Sequence, residues 1–244
     1  MLETTCDDIL PGGLRLLQPL NGPRVNMDTI LLSAWVKVRS GTREILEAGC
    51  ASGAISLILA MKHRNIHVTG VDIQSELIQL AVKNAEANGL SERVKFIAGD
   101  IRDKDILPRG RYDAMVINPP YSSTNAGRES PDASRTTARL EVSCTPDDVA
   151  ELAGRVLKSR GRLYAVFASG RLDVFVSSML RHNVIPKRIR PVYPKAGYNS
   201  GIFLSECIRN GGEGLTILPP LYVRGDDNAY TPEILKAYRT DGYR

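Results

Sequence analysis

The tetrapeptide Asn118-Pro119-Pro120-Tyr121 specifies a chemistry more directly than any other stretch of the chain. An aromatic or amide NH2 is a poor nucleophile, because its lone pair is delocalised into the ring or the carbonyl. It needs well-placed hydrogen-bond acceptors rather than a strong base. On a rigid turn, the Asn118 side-chain oxygen and the Pro119 carbonyl can each accept one of its hydrogens. That localises the lone pair and stabilises the positive charge that develops on nitrogen during an in-line methyl transfer. The prolines lower the conformational cost of holding both acceptors in place. Tyr121 can stack on a planar acceptor, a contact of about 1 to 3 kcal/mol for a nucleic-acid base. Without a ligand the same residues would simply make a stiff turn, since Asn-Pro starts turns and Pro-Pro rigidifies loops.

Three upstream stretches point to the methyl donor. Glu47-Ala48-Gly49-Cys50-Ala51-Ser52-Gly53 lies where a first strand should end, and its glycines let the backbone turn sharply and lie against a ligand. Such turns are common in α/β proteins, so the partners of this one decide its meaning. Asp72 ends the next expected strand, roughly 20 residues beyond the loop, where a carboxylate accepts hydrogen bonds from the two hydroxyls of an adenosine ribose. Gly99-Asp100-Ile101 follows a third strand and offers Asp100 to an adenine N6 amino group. The GxGxxG spacing of dinucleotide sites is absent, and Glu47 at the mouth of the loop would repel a pyrophosphate. A ligand with a ribose, an amino acid moiety and a positive sulfonium tolerates that acid. The pattern therefore suggests S-adenosylmethionine, and a transfer of this kind needs no metal.

The elements that must hold these loops alternate strand and helix, which implies βαβ units and a doubly wound, mostly parallel sheet. Ile45 and Leu46 lead into the first loop, and the apolar spacing of Ile55, Leu57, Ile58, Leu59 and Met61 predicts the helix after it. His67 to Val71 alternates as a strand, and a helix capped by Ser75 and stopped by Gly89 follows. Val94 to Ala98 and Ala114 to Ile117 read as strands covered on both faces. A helix from Pro146 to about Lys158, a strand from Leu163 to Phe167 and a helix from Leu172 to Leu180 continue the alternation. Val192, Ile202, Leu204 and the stretch from Leu215 to Ile217 suggest late strands with an antiparallel edge. The polar stretch from Ser122 to Thr137 is too long for a tight turn and reads as a mobile loop beside the site.

With 244 residues and a 43% hydrophobic content, one α/β domain is the expected organisation. Residues 1–40 form an N-terminal extension whose helix from Ile30 to Val36, with Trp35, covers the cofactor pocket or core; residues 41–244 form the Rossmann-like core. Cys6, Cys50, Cys144 and Cys207 show neither a CxxC pair nor a disulfide framework, and no apolar run approaches the roughly 20 residues that span a bilayer, so a cytoplasmic protein is expected. His63, His67 and His182 lack the spacing of a metal site or catalytic triad. The net charge of +5 favours an anionic partner without naming one. From Val174 to Ser205 the run contains Arg181, Lys187, Arg188, Arg190 and Lys195, with Tyr193 and Tyr198 interleaved and no Asp or Glu. Such residues can track phosphates and stack on unpaired bases, or form a solvated basic face.

The residues GCASG, Asp72-Ile73, Asp100-Ile101 and NPPY, in this order at strand ends, resemble class I Rossmann-like methyltransferases that modify amino nitrogens. Within that group, Gln18-Pro19, the run from Arg24 to Leu32, Ala138-Arg139-Leu140-Glu141 and the tail from Pro219 to Ile234 resemble the bacterial enzymes that methylate N6 of adenosine 37 in a valine tRNA. The resemblance implies that Glu47, Gly49 and Gly53 meet the methionine end of S-adenosylmethionine, Asp72 and Ile73 the ribose side, and Asp100 and Ile101 the adenine. Asn118 borders the cofactor and, with Pro119, Pro120 and Tyr121, receives the target amine. It also implies that Asp28 approaches the cofactor's amino end. The chain departs from the family pattern at Glu47, usually Asp, at Ala51, usually glycine, and at Leu140, often His. Arg139 is thereby left as the RNA-contacting candidate of its segment, beside Lys187, Arg188, Arg190 and Lys195. Related NPPY proteins methylate a release-factor glutamine or a ribosomal guanine, and a non-catalytic RNA-binding module is a third possibility.

Overall fold

Each central strand carries apolar side chains on both faces, and in the computed structural model, which describes residues 2–10, 13–119 and 144–239, helices cover both. A hairpin of β1 (Thr4–Leu10) and β2 (Leu14–Pro19) precedes α1 (Met27–Trp35). Then come β3 (Glu44–Ala48), α2 (Ala54–Lys62), β4 (His67–Asp72), α3 (Ser75–Ala87), β5 (Val94–Ala98) and β6 (Tyr112–Ile117). After residue 143 the chain continues with α4 (Pro146–Val156), β7 (Leu157–Ala168), α5 (Leu172–Arg181), β8 (Val184–Tyr193) and β9 (Ile202–Arg209). Short β10 (Thr216–Ile217) and β11 (Leu221–Tyr222) lead to α6 (Pro232–Ala237).

The main sheet has the order β10-β8-β9-β7-β6-β3-β4-β5, and β11 also pairs with β8. From β5 across to β7 every neighbour is parallel. The antiparallel strand is β9, and it lies inside the sheet, between β7 and β8, rather than at its edge. The chain winds outward from β3 through β4 to β5 and restarts at β6 on the other side of β3. That reversal opens a crevice at the carboxyl ends of the strands, where α/β sheets bind ligands.

Alternation along the strands sorts two cores. Ile45, Ala114, Val116, Tyr164 and Val166 face one way, into a core shared with α1, α2 and α6. Leu46, Met115, Ile117, Leu163 and Phe167 face the other, toward α4 and α5. There Phe167, Phe175 and Phe203 pack with ring centroids 5.1 to 6.3 Å apart. Trp35 belongs to the first core and donates from Nε1 to the Ser205 carbonyl at 2.9 Å.

Local signals explain the element ends. Asn26 and Thr29 form a reciprocal capping box on α1, and Thr145 and Asp148 form another on α4, where Pro146 occupies the first turn. At α3 the cap is Gln74 with no side-chain hydrogen bond, and Ser75 is the first helical residue, so the helix begins one position earlier than a Ser75 cap would place it. Gly89, at φ +66°, ends that helix as expected. The β1–β2 hairpin had no sequence reading, yet Leu10, Leu14 and Leu16 are fully buried in the first core. Asn84 of α3 holds it, accepting from the Leu17 amide at 2.7 Å and donating to the Leu17 carbonyl at 2.9 Å.

Candidate active site

The register aligns the four strand ends that carry the sequence motifs. Ala48 pairs with both Val71 and Ile117, and Asp72 pairs with Ala98, so Gly49, Asp72, Gly99 and Asn118 stand within about one residue of each other along a single edge. The chain positions that were candidates for cofactor and acceptor thus meet at the switch point of the sheet.

Gly49 and Gly53 serve different purposes. Gly49 has φ +67°, and a Cβ built on it would meet nothing within 4 Å, so its backbone faces open space that a ligand can occupy. A Cβ on Gly53 would instead lie 2.6 Å from Phe96 Cζ and 3.1 Å from Ala81 Cβ. Gly53 is therefore needed for helix–sheet packing. Ala51, at φ +46°, occupies the left-handed region that glycine reaches without strain. The turn it makes aims its amide at Asp72.

Asp72 is buried, and its two oxygens accept from the Ala51 amide at 2.8 Å and the Gln74 amide at 2.9 Å. Burial raises its pKa, against these hydrogen bonds. A carboxylate has about four lone-pair sites, so each oxygen keeps one for a ribose hydroxyl. Glu47 is only 2% exposed and accepts from the Ser56 amide at 2.7 Å and the Ser56 hydroxyl at 2.5 Å. It caps the first turn of α2, and burial pushes its pKa up to about 8. Ser56 escaped the sequence reading, although its place nine residues after Glu47, in the first turn of the next helix, was the available signal.

Ile73 is exposed at the end of β4, free to lie against a planar ligand, whereas Ile101 packs on the second core. Asp100 is engaged: Arg102 donates to its carboxylate from Nε at 3.0 Å, from its other guanidinium nitrogen and from its backbone amide at 2.9 Å. This pairing holds its carboxyl below the ordinary range. Arg102, two residues away, is the partner of this carboxylate in the structure, and an adenine N6 amino group would share Asp100 with it.

Asn118 follows β6 directly, with Pro119 buried beside it. Its Nδ2 donates to Thr29 Oγ1 at 3.5 Å, while the Thr29 hydroxyl donates to Asn26 Oδ1 at 3.0 Å. Because the hydroxyl proton is committed to Asn26, Thr29 can only accept from Asn118. The amide's NH2 side is thereby turned to α1 and Oδ1 is left for another donor. Thr29 was singled out only as part of a stretch; the capping spacing Asn26 to Thr29 was its signal. Pro120, Tyr121, Arg139, Leu140 and the loop from Ser122 to Thr137 lie outside the described residues.

The basic run is not a row of free cations. Lys187 Nζ donates to the carbonyls of Gly212 and Glu213 at 2.8 and 2.6 Å, and Lys195 Nζ to that of Asp226 at 3.0 Å. Arg188 reaches Glu206 at 2.9 Å and lies 4.7 Å over Trp35, Arg190 forms a two-pronged pair with Glu233 at 2.5 and 2.9 Å, and Arg181 reaches Asp147 at 2.7 Å. Lys187 and Arg188 also lie in the first half of β8, toward the edge opposite the site. The carbonyls and carboxylates that engage the run come from beyond it, from α4, β9 and the tail. Asp28 lies in the first turn of α1, and its charge raises the pKa of Tyr238, whose burial is the larger cause. Among the described residues, no group of three or more His, Cys, Asp or Glu could hold a metal ion, and no helix is long and apolar enough to cross a membrane.

A sheet of this order, with these loops at its carboxyl edge, defines a Rossmann-like methyltransferase domain, and the family described as methyltransferase domain matches residues 40–183. Solved structures share the fold: a predicted O-methyltransferase from Agrobacterium tumefaciens superposes with a TM-score of 0.69 at 18% identity, over 86% of this chain and 95% of that one. The [4+2]-cyclase SpnF superposes with 0.58 at 17% identity, over 76% and 82%, so the fold alone does not fix the reaction. Sequence relatives are more specific. The tRNA1(Val) (adenine(37)-N6)-methyltransferase of Dickeya chrysanthemi is 30% identical over 222 residues, 85% of this chain and 83% of the relative. That of Porphyromonas gingivalis is 31% identical over 175 residues, 69% and 68%. The chain belongs to the tRNA1(Val) (adenine(37)-N6)-methyltransferase family.

Proposed function

We propose that this protein transfers a methyl group from S-adenosylmethionine to N6 of adenine 37 in a valine tRNA, in the cytoplasm. The observation that carries the reading is the placement of Asn118 and Pro119 on the same sheet edge as Gly49 and Asp72, in a chain of this family.

The cradle suits the cofactor. The open backbone at Gly49 leaves room for it, and the spare lone pairs of Asp72 suit a ribose diol. When bound, S-adenosylmethionine supplies an electrophilic methyl on a positive sulfur. Asp72 then holds the ribose, Ile73 borders the adenine, and Glu47, fastened to Ser56, fixes the turn that meets the methionine end. Asn118 Oδ1, aimed by Thr29, and the Pro119 carbonyl accept the two hydrogens of the target NH2. The N–C bond forms as the C–S bond breaks, and the proton displaced from nitrogen leaves to solvent. Tyr121 stacks on the adenine. A base in a single-stranded loop reaches such a pocket with less unstacking than one in a duplex.

The test is transfer of labelled methyl to tRNA from a bacterial strain lacking this activity, followed by nucleoside mass spectrometry. Labelled N6-methyladenosine is expected. Label appearing only in ribosomal RNA or a release-factor glutamine would refute the assignment. Asn118→Ala should abolish turnover while changing cofactor affinity by no more than a few-fold, because Asn118 handles the acceptor; an equal loss of cofactor binding would show that the site is misassigned.

A further inference from the structure

With the cations of β8 paired internally, the exposed tyrosines show another route for RNA. Strand order places a row of groups along the carboxyl edge, starting at Asn118 after β6. Next, after β7, is Arg171, whose buried Nε has no hydrogen-bond partner among the described residues. The turn of Arg171 is tied to the β8–β9 loop by the Ser169 and Ser200 hydroxyls at 2.7 Å, and that loop carries Tyr198, 66% exposed.

Beyond it the tail doubles back onto the end of β8. Leu221 and Tyr222 pair in parallel with Val192 and Tyr193, and the Val223 and Arg224 amides donate to the Tyr193 and Pro194 carbonyls at 2.8 and 3.0 Å. The Tyr193 and Tyr222 rings lie 5.7 Å apart, and the Arg224 guanidinium sits 4.5 Å over the Tyr230 ring. Tyr222 and Tyr230 are 38% and 42% exposed. The bridge between Arg224 and Tyr230 leads straight into α6, which packs on α1 and so on the helix that orients Asn118.

We infer that this tail and the β8–β9 loop form the surface that holds the unpaired nucleotides flanking the target adenosine. The inference rests on the tRNA reading proposed above. Strands lie about 4.8 Å apart, so the row extends roughly 15 to 20 Å from Asn118, room for a few unstacked nucleotides. Aromatic faces accept any base, and an arginine over a ring adds a cation to the stack. Asp226 and Asp227 share the turn, and Asp227 Oδ1 accepts from the Ala229 amide at 3.0 Å, so recognition here is by stacking more than by charge.

The experiment measures steady-state methylation of unmodified tRNA by full-length Tyr198→Ala, Tyr222→Ala, Tyr230→Ala and Arg224→Gln proteins, with cofactor Kd alongside. Each tyrosine loss should raise KM for tRNA about 5- to 100-fold, as expected for one lost stack. Cofactor Kd and kcat at saturating tRNA should stay within about two-fold. Tyr230→Phe should keep KM at the wild-type value, since the ring and not the hydroxyl makes the contact, and Arg224→Gln, which takes the cation from over that ring, should raise KM for tRNA by less than the loss of the ring does. Wild-type methylation of tRNA with unchanged KM in all three tyrosine variants would overturn the surface and leave the tRNA reading intact. Absence of tRNA methylation by a cofactor-binding wild type, with label on a release-factor glutamine, would overturn both.

Discussion

Glu47→Gln isolates one titration with a stated sign. In the folded protein the Glu47 carboxyl titrates near pH 8, against 4.5 for its ordinary value, with burial as the first cause. Between those values the folded state keeps a proton that the unfolded chain has released. Stability must therefore fall as pH rises from about 4.5 to about 8, by up to about 1.4 kcal/mol per unit, and flatten above that window. The glutamine side chain of the variant can still accept from the Ser56 amide and hydroxyl through its Oε1 but never ionises. Urea unfolding of both proteins across pH 5.5 to 7.5 should show wild type losing roughly 2 to 3 kcal/mol relative to the variant, about 5 to 10 °C in Tm for a chain of this size. Taking the difference removes contributions common to both, such as His63, whose lowered pKa acts in the opposite direction. Parallel stability curves would refute the claim that a buried, proton-holding carboxyl opens the cofactor loop.

Ala51→Gly relieves a left-handed alanine and should stabilise the fold by about 0.5 to 1 kcal/mol after the entropy of the freer unfolded chain, seen as a small rise in Tm; a fall would show that the methyl makes useful contacts. Gly53→Ala forces a Cβ against Phe96 at positive φ and should cost about 2 to 4 kcal/mol in urea unfolding, partly recovered when combined with Phe96→Leu. No recovery would mean that backbone strain, and not the ring, sets the cost. Glu206 is 1% exposed and faces Arg162, Arg188 and Arg39, so Glu206→Ala leaves guanidinium charge without its counterion and should cost about 3 to 5 kcal/mol. A shift in unfolding midpoint worth less than about 1 kcal/mol would mean that water already screens the cluster.

The parallel core was legible because its signals are local. Strand-to-helix turns, helical spacing and acids at strand ends each follow from a few adjacent residues, and the register aligned Gly49, Asp72, Gly99 and Asn118 as that pattern required. What escaped depends on partners far along the chain. Gly53 reads as a ligand glycine alone until Phe96 arrives from another strand, whereas Arg102 sits only two residues from Asp100 and it is its side-chain direction that the sequence does not state. The basic run suffered the same blindness: Arg190 finds Glu233 across 43 residues, and Arg188 finds Glu206 across 18. Thr29 and Ser56 were hidden for a different reason, since hydroxyls acquire meaning only through the group they orient.

The Asn84 latch also bears on how the chain emerges from the ribosome. Leu17 lies 67 residues ahead of the side chain that fastens it. The β1–β2 hairpin is synthesised before its partners, yet a lone two-stranded ribbon is marginal in water. Until α2 and α3 have followed, Leu10, Leu14 and Leu16 have little to bury against. The nascent hairpin thus presents a sticky apolar face for as long as it takes to make about 70 further residues, a few seconds at ordinary translation rates. It is a natural stretch for a holding chaperone to grip, and slower elongation through α3 would lengthen that exposure.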